Sequence, residues 1–247
     1  MKSLVSILFC IAVTNSIWSQ NKSMSNLEME LVREFRSYRL ANDYLRFDSL
    51  KPILIKKTID LLSIQESMQF PFDSLAEYVK IISSIDGKFR VFSWDELTGG
   101  TMHDMAVIVQ YRSKNGEVKT ERIDGDIGDD SIGFTDAIQF QVHDILINKQ
   151  PYYLCFGWGT YGSGLHHNTI MVFRITNDNV ELCESCVTPN YSFLQGPRSG
   201  DFDLQYDPEL LEISFNDFLY DISIGDYKKG SYRLKLRLID GCFKIAQ

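Results

Sequence analysis

The sequence predicts a mainly β protein with an N-terminal helical segment: three antiparallel four-stranded meander units, nine to twelve strands in all, behind a helical preface. Three observations carry that prediction. The stretch Gly99-Gly100-Thr101-Met102-His103 returns as Gly162-Ser163-Gly164-Leu165-His166, and a further step of the same length lands on Gly225, with Lys229 where the histidine would be. The turn dipeptides Asn115-Gly116, Asp178-Asn179 and Asp240-Gly241 recur at that same interval to within one position, and such pairs suit the φ > 0 geometry of a two-residue hairpin. Finally, Tyr232, Leu234, Leu236 and Leu238 alternate with Arg233, Lys235 and Arg237, the period of a strand with one buried face.

Met1 to about Gln20 reads as a secretory signal, with Lys2 as the positive start, Leu4–Val13 as the apolar run and Ser19 at a plausible cleavage point. Cys10 lies inside that run behind bulky Phe9, so lipidation there is not expected. No later run reaches the ~18 apolar residues that a membrane helix needs, and no membrane insertion is expected. The predicted product is soluble, periplasmic or secreted. The formal net charge of the 247 residues is −8, and loss of Lys2 would make it more negative still. That balance argues against nucleic acid as a partner. Cys155, Cys183, Cys186 and Cys242 would remain after processing and could pair in three ways. If Cys183-Glu-Ser-Cys186 were an extended strand, its Cα atoms would lie about 10 Å apart, beyond disulfide reach. Buried thiols or one long-range bridge are expected instead.

Residues 21–83 form the predicted preface. Ser25-Asn-Leu-Glu28 has the form of a capping box, and Leu27, Leu31, Phe35 and Tyr38 follow at helical spacing, giving a helix from about 26 to 45. A second helix is predicted from about 50 to 67, with Pro52 in its first turn, Ile55, Ile59 and Leu62 on one face, and Pro71 as the stop. Ser74-Leu-Ala-Glu77 resembles another cap, whereas Tyr78–Ile82 could begin a strand, and periodicity alone leaves both open.

From residue 84 onward three units are predicted, at about 84–124, 138–187 and 201–247. Their first strands are Lys88–Trp94, Pro151–Phe156 and Leu211–Asn216, and their second strands Ala106–Arg112, Thr169–Ile175 and Tyr232–Leu238. A third strand follows each turn dipeptide, and Ile138–Asp144 and Asp201–Tyr206 offer a fourth. Ile170–Phe173 and Ile175 are apolar on both faces, as in a central sheet. A repeated four-stranded meander is propeller-blade-like. The segment Ser84-Ile-Asp-Gly-Lys-Phe-Arg-Val-Phe-Ser-Trp-Asp-Glu-Leu-Thr-Gly resembles the tail of a WD-repeat blade, with extra residues before Trp94-Asp95. Ser-Trp-Asp, Thr-Gly-Gly-Thr-Met-His and Phe-Gly-Trp-Gly-Thr-Tyr-Gly-Ser-Gly together are similar to a group of uncharacterised exported bacterial proteins, a likeness that implies no activity.

Equivalent loops between first and second strands, Asp95–Asp104, Gly157–His167 and Asp217–Gly230, would share one rim, and loops on a rigid sheet are where sites usually sit. The candidate ligand-binding residues are Trp94, Gly99, Gly100, Thr101, His103, Trp158, Tyr161, Gly162, Ser163, His166 and His167, with Tyr220, Asp226 and Tyr227 on the third loop. Glycines permit close backbone approach, and Trp158 and Tyr161 offer flat faces to a sugar or peptide. The function expected is a non-enzymatic binding protein for a glycan, peptide or envelope partner, with no cofactor. The alternative is a metal-assisted hydrolase using His103 and His166, with His167 pointing the other way along an extended segment. His103-Asp104 sets a base beside an acid without fixing a nucleophile, and Ser163 lacks the Gly-x-Ser-x-Gly elbow. Asp124–Asp130 could hold calcium but lacks the distal glutamate of a helical calcium loop. A third reading makes the chain a structural subunit whose unpaired outer strands or helical preface join a larger assembly.

Overall fold

The computed structural model describes residues 24–41, 44–98, 100–123 and 136–246. The predicted signal at 1–20, Gly99 and the acidic run Asp124–Asp130 lie outside them. Two compact units result, Met1–Tyr78 and Val79–Gln247. Among the described residues, no helix is long and apolar enough to cross a membrane.

In the first unit, α1 spans 24–40 and buries Met24, Leu31, Val32, Phe35 and Tyr38, the stripe that its sequence spacing dictates. Glu28 does not close a capping box on Ser25, which already lies within the helix. It is buried, and one carboxylate oxygen accepts the backbone N–H groups of Ser74 and Leu75 at 2.9 Å each. These are orphan donors at the start of the short 3-10 turn Leu75–Glu77. Helix α2 (Tyr44–Leu62) starts earlier than predicted and carries Pro52 in its interior. It ends at Leu62, well before Pro71. Ser67 Oγ donates to the carbonyls of Leu62 and Ile64 there, helping the chain turn into the 3-10 segment Gln65–Gln69.

The second unit holds three antiparallel sheets, thirteen strands among the described residues. The first has β1 (Lys80–Ser83), β2 (Phe89–Asp95), β3 (Met105–Arg112) and β4 (Val118–Arg122) in that order. Residues 73–83, ambiguous in the sequence, are thus a 3-10 turn followed by a strand. The second has β5 (Ile138–Ile147), β6 (Gln150–Tyr161), β7 (Leu165–Ile175) and β8 (Val180–Leu182), and β9 (Phe193–Pro197) pairs with the other half of β7. The third has β10 (Gln205–Asp207), β11 (Glu212–Asp221), β12 (Asp226–Ile239) and β13 (Cys242–Ile245). The fold is therefore mainly β, with three four-stranded meanders of blade type.

The middle sheet is buried on both faces because its strands are apolar at odd and even positions alike. On one face Tyr153, Cys155, Met171 and Phe173 pack with Phe89, Val91, Val107 and Val109 of the first sheet. The Phe89 and Tyr153 rings stack there with centroids 4.6 Å apart. On the other face Leu154, Phe156, Ile170 and Val172 pack with Phe202, Ile213, Phe215, Leu236 and Phe243. Polar latches pin the layers. The Asp144 carboxylate accepts the N–H groups of Ile85 and Asp86 at 2.9 and 2.8 Å, and the Tyr153 hydroxyl donates to Asp86 at 3.1 Å. Burial pushes the Asp86 carboxyl upward, but bonds from the Lys88 N–H, Ser84 and Tyr153 outweigh it and hold the group below its ordinary range.

The cysteine expectation is corrected. Cys183-Glu-Ser-Cys186 is not extended: the chain curls into a 3-10 turn, Glu184–Cys186, which brings the two Cα atoms to 5.3 Å, and the pair is disulfide-bonded. Cys155 is a fully buried thiol, pushed well above the ordinary thiol range by burial, and Cys242 is free and half-buried.

Candidate ligand-binding rim

The three bends between second and third strands of each meander are 96–104, 162–164 and 222–225. Only the first is a long loop. Strands β6 and β7 run on to Tyr161 and from Leu165, so the predicted loop 157–167 is a tight turn between two long strands, with Ser163 at φ 62° and Gly164 at φ 77°. This left-handed pair is the geometry of a hairpin that follows strand twist. Strands β11 and β12 close over a four-residue turn, 222–225, in which Gly225 alone takes positive φ and its N–H donates to the Asp221 carbonyl at 2.9 Å.

The glycines at 157 and 159 answer a packing demand, not a turn. A Cβ at Gly157 would sit 2.4 Å from Thr169 Oγ1, and one at Gly159 would sit 2.4 Å from His167 Cε1 and 2.5 Å from the Asp136 carbonyl oxygen. Glycine makes room for polar side chains on the neighbouring strand.

The bends meet. The His103 N–H donates to Thr160 Oγ1 at 2.7 Å, joining the first bend to the end of β6. Arg198, just past β9, donates to the Thr101 carbonyl at 3.4 Å and, through its N–H, to the Gly164 carbonyl at 2.8 Å. Tyr227 of the third hairpin lies within electrostatic reach of Tyr161 and edge-on to Tyr220, centroids 5.3 Å apart. Burial first, then these two tyrosines, raise the Tyr227 hydroxyl above its ordinary range.

The first bend is held by its own acids. Asp95 accepts the Leu97 N–H at 2.7 Å, and Thr98 Oγ1 donates to Asp104 at 2.7 Å. His103 Nδ1 pairs with the other Asp95 oxygen at 2.6 Å. The acid beside His103 is therefore Asp95, at the end of β2, and not the adjacent Asp104, which Thr98 engages. His103 keeps 40% of its side chain exposed.

Trp158 and Tyr161 are 37% and 39% exposed, Gly100, Thr101 and Ser163 are also open, and Gly162 is half-buried. Trp94 is buried in the sheet and cannot touch a ligand. His166 and His167 are likewise buried, and they point to opposite faces of β7, as expected for adjacent residues of a strand. His166 stacks on Phe202 and takes the Trp158 indole N–H on Nδ1 at 2.9 Å. Its Nε2 is buried with no hydrogen-bond partner among the described residues. Burial lowers the His166 imidazole, with nearby Asp201 opposing and Arg198 adding to the effect. His167 stacks on Phe193 and donates from Nε2 to the Asp136 carbonyl at 3.1 Å, and burial pushes it down to about 4. Because His166 and His167 lie on opposite faces of β7, the three imidazoles do not converge. Among the described residues no three His, Cys, Asp or Glu side chains could hold a metal ion. The metal-assisted alternative thus finds no ligand set there.

Sequence reasoning missed Asp95, Thr160 and Arg198. Asp95 stood in plain view at the end of a predicted strand, whereas Arg198 reaches the rim only through β9, whose Phe193-Leu-Gln-Gly-Pro197 carries no strand alternation. The chain matches no protein-family model, no curated protein and no solved structure. The rim has to be read from its own geometry.

Proposed function

We propose that this chain is an exported binding protein that recognises a glycan through the rim formed by the three bends. One observation carries the reading. Trp158 is held from behind by its indole N–H bond to buried His166, while more than a third of the residue faces solvent, and exposed Tyr161 stands three residues on at the same strand end, on the other face of β6. A flat apolar face fixed before the ligand arrives loses little rotamer freedom on binding, and preorganisation of this kind is what converts contact area into affinity. Polar groups stand on the same rim: His103 with Asp95, Ser163, and Arg198 against Thr101. Donors and acceptors around an aromatic platform suit a pyranose ring, apolar on its faces and hydroxylated at its edge. Tyr220 and Tyr227 extend the aromatic surface.

The test is retention of the purified protein on an immobilised glycan array, followed by titration calorimetry with any hit. Trp158→Ala and Tyr161→Ala should each weaken binding at least tenfold, about 1.4 kcal/mol, without altering the circular dichroism spectrum. No retention of the native protein, or retention that both substitutions leave untouched, would dismiss the proposal.

A further inference from the structure

Strand β12 outruns its neighbour β13. The two pair only from Leu236 to Ile239, and the Ala246 N–H closes that ladder on the Lys235 carbonyl at 2.9 Å. Alternate residues of an antiparallel strand turn both backbone groups to the same side. Arg233, two residues back from Lys235, therefore faces an edge that no further strand covers among the described residues. On the β11 side the register slips: Asn216 pairs with Arg233 and Phe218 with Lys229, which leaves Gly230, Ser231 and Tyr232 opposite Asp217 alone. A concavity of about 540 Å³ opens at this slip, and Leu219, Ile222, Lys228, Lys229 and Tyr232 are among its walls. Leu219, Ile222 and Tyr232 are all largely exposed there. Asp217 also borders it, its carboxylate accepting the Phe218 N–H at 3.0 Å.

The charge along this edge has one sign. From Lys228 to Arg237 the strand carries Lys228, Lys229, Arg233, Lys235 and Arg237 and no acid, within a chain of formal net charge −8. Asp221 pairs with Lys228, Asp203 with Arg233, and Glu212 is shared by Lys235 and Arg237. Three carboxylates thus answer four cations, and Lys229 has no ion pair among the described residues. A second copy of the same edge would set these cations against one another, which is how lysines keep an open edge from pairing with itself. An acidic strand meets the opposite condition.

We propose that the free edge of β12 between Lys229 and Arg233 docks an extended acidic segment of another protein, added to the third sheet as a strand in line with β13. Main-chain hydrogen bonds to the open backbone at Arg233 supply affinity, and alternate side chains supply selectivity. Carboxylates on one face of the added strand meet the excess positive charge at Lys229 and its neighbours, and opposite charges across strands favour pairing. Apolar side chains on the segment enter the concavity against Leu219, Ile222 and Tyr232. The site uses neither Trp158 nor Tyr161, so it stands apart from the glycan reading.

The experiment titrates the full chain with a capped eight-residue peptide alternating glutamate with valine, and with its lysine–valine counterpart, followed by hydrogen exchange on each mixture. The acidic peptide should bind and slow exchange at least tenfold at amides within 229–233, whereas the lysine peptide should do neither. Lys229→Glu, checked for native circular dichroism, should weaken the acidic peptide at least threefold. Trp158→Ala should leave its binding unchanged, which separates this site from the glycan platform. The proposal is overturned if the acidic peptide does not bind, if both peptides bind equally, or if protection falls outside 229–233. It is equally overturned if sedimentation shows the chain alone to be a dimer with those amides already protected, since the edge would then belong to a second copy.

Discussion

The buried histidine on β7 makes stability depend on pH in a window that carboxylates leave clear. His167 is 4% exposed, stacked on Phe193 and bonded through Nε2 to the Asp136 carbonyl, and burial lowers it from 6.5 to about 4. Below pH 6.5 the unfolded chain takes up a proton that the folded chain refuses, so stability falls as pH falls through that range and the loss is complete near pH 4. The whole gap corresponds to about 3 kcal/mol, of which about 2 kcal/mol is already lost at pH 5. Urea unfolding at pH 7 and pH 5 reads this directly, against His167→Gln, whose amide can donate to the same carbonyl and does not titrate. His166 and His143, both also lowered by burial, remain in both proteins and cancel in the comparison. Wild type should lose about 2 kcal/mol more than His167→Gln between the two pH values. Equal losses would refute the reasoning, because the imidazole would then be solvated or paired in a way that burial on β7 excludes.

The other expectations follow the same geometry. Gly159→Ala should destabilise the chain by roughly 2–3 kcal/mol in urea unfolding, since the new Cβ meets both the His167 ring and the Asp136 backbone oxygen. Adding His167→Ala should restore only part of that loss, because the backbone contact persists. Asp144→Ala should cost about 1 kcal/mol by freeing the Ile85 and Asp86 N–H groups, and hydrogen exchange should quicken at those two amides while the core strands keep their protection.

The layered β architecture was legible because period and turn chemistry agreed. Asp240-Gly241 takes positive φ at both positions, as its sequence demands, and Leu234, Leu236 and Leu238 turn inward while Lys235 and Arg237 face out. Tyr232 breaks the pattern at 79% exposure, because register slips between the Asn216 and Phe218 pairings and throws residues 230–232 out of line. The hairpin at Asn148-Lys149 escaped notice although both residues have positive φ, since lysine is not a turn signal. The site was less legible for a related reason. Gly157 and Gly159 read as loop residues, yet they are strand residues whose missing side chains admit Thr169, Gln139 and His167. A glycine serving a neighbour's side chain and one serving a turn look alike in sequence. The same limit applies to Glu28: a capping-box spacing names the acceptor correctly but not the helix whose donors it will satisfy.

The two faces of the third sheet differ in charge. The inner face of the third sheet gives Ile213, Phe215 and Leu236 to the core, whereas its outer face is lined by ions. Glu212, on β11, stands directly across from Arg237 on β12, and both Arg237 and Lys235 bond its carboxylate, at 2.9 and 2.7 Å. The Lys235 bond, outweighing burial, holds that carboxyl below its ordinary range. Arg233 pairs with Asp203 beside them. Lys235 and Arg237 remain half exposed, so these pairs add little stability in water. Their effect is on what could pack there. Another layer laid against this face would have to strip water from two guanidinium groups, an ammonium and their carboxylates, at several kcal/mol per ion. The same strands thus bury leucines inward and carry ions outward. What the stacking leaves open is the strand ends, and there Trp158, Tyr161 and His103 stand at the surface, held by partners that belong to the sheets themselves.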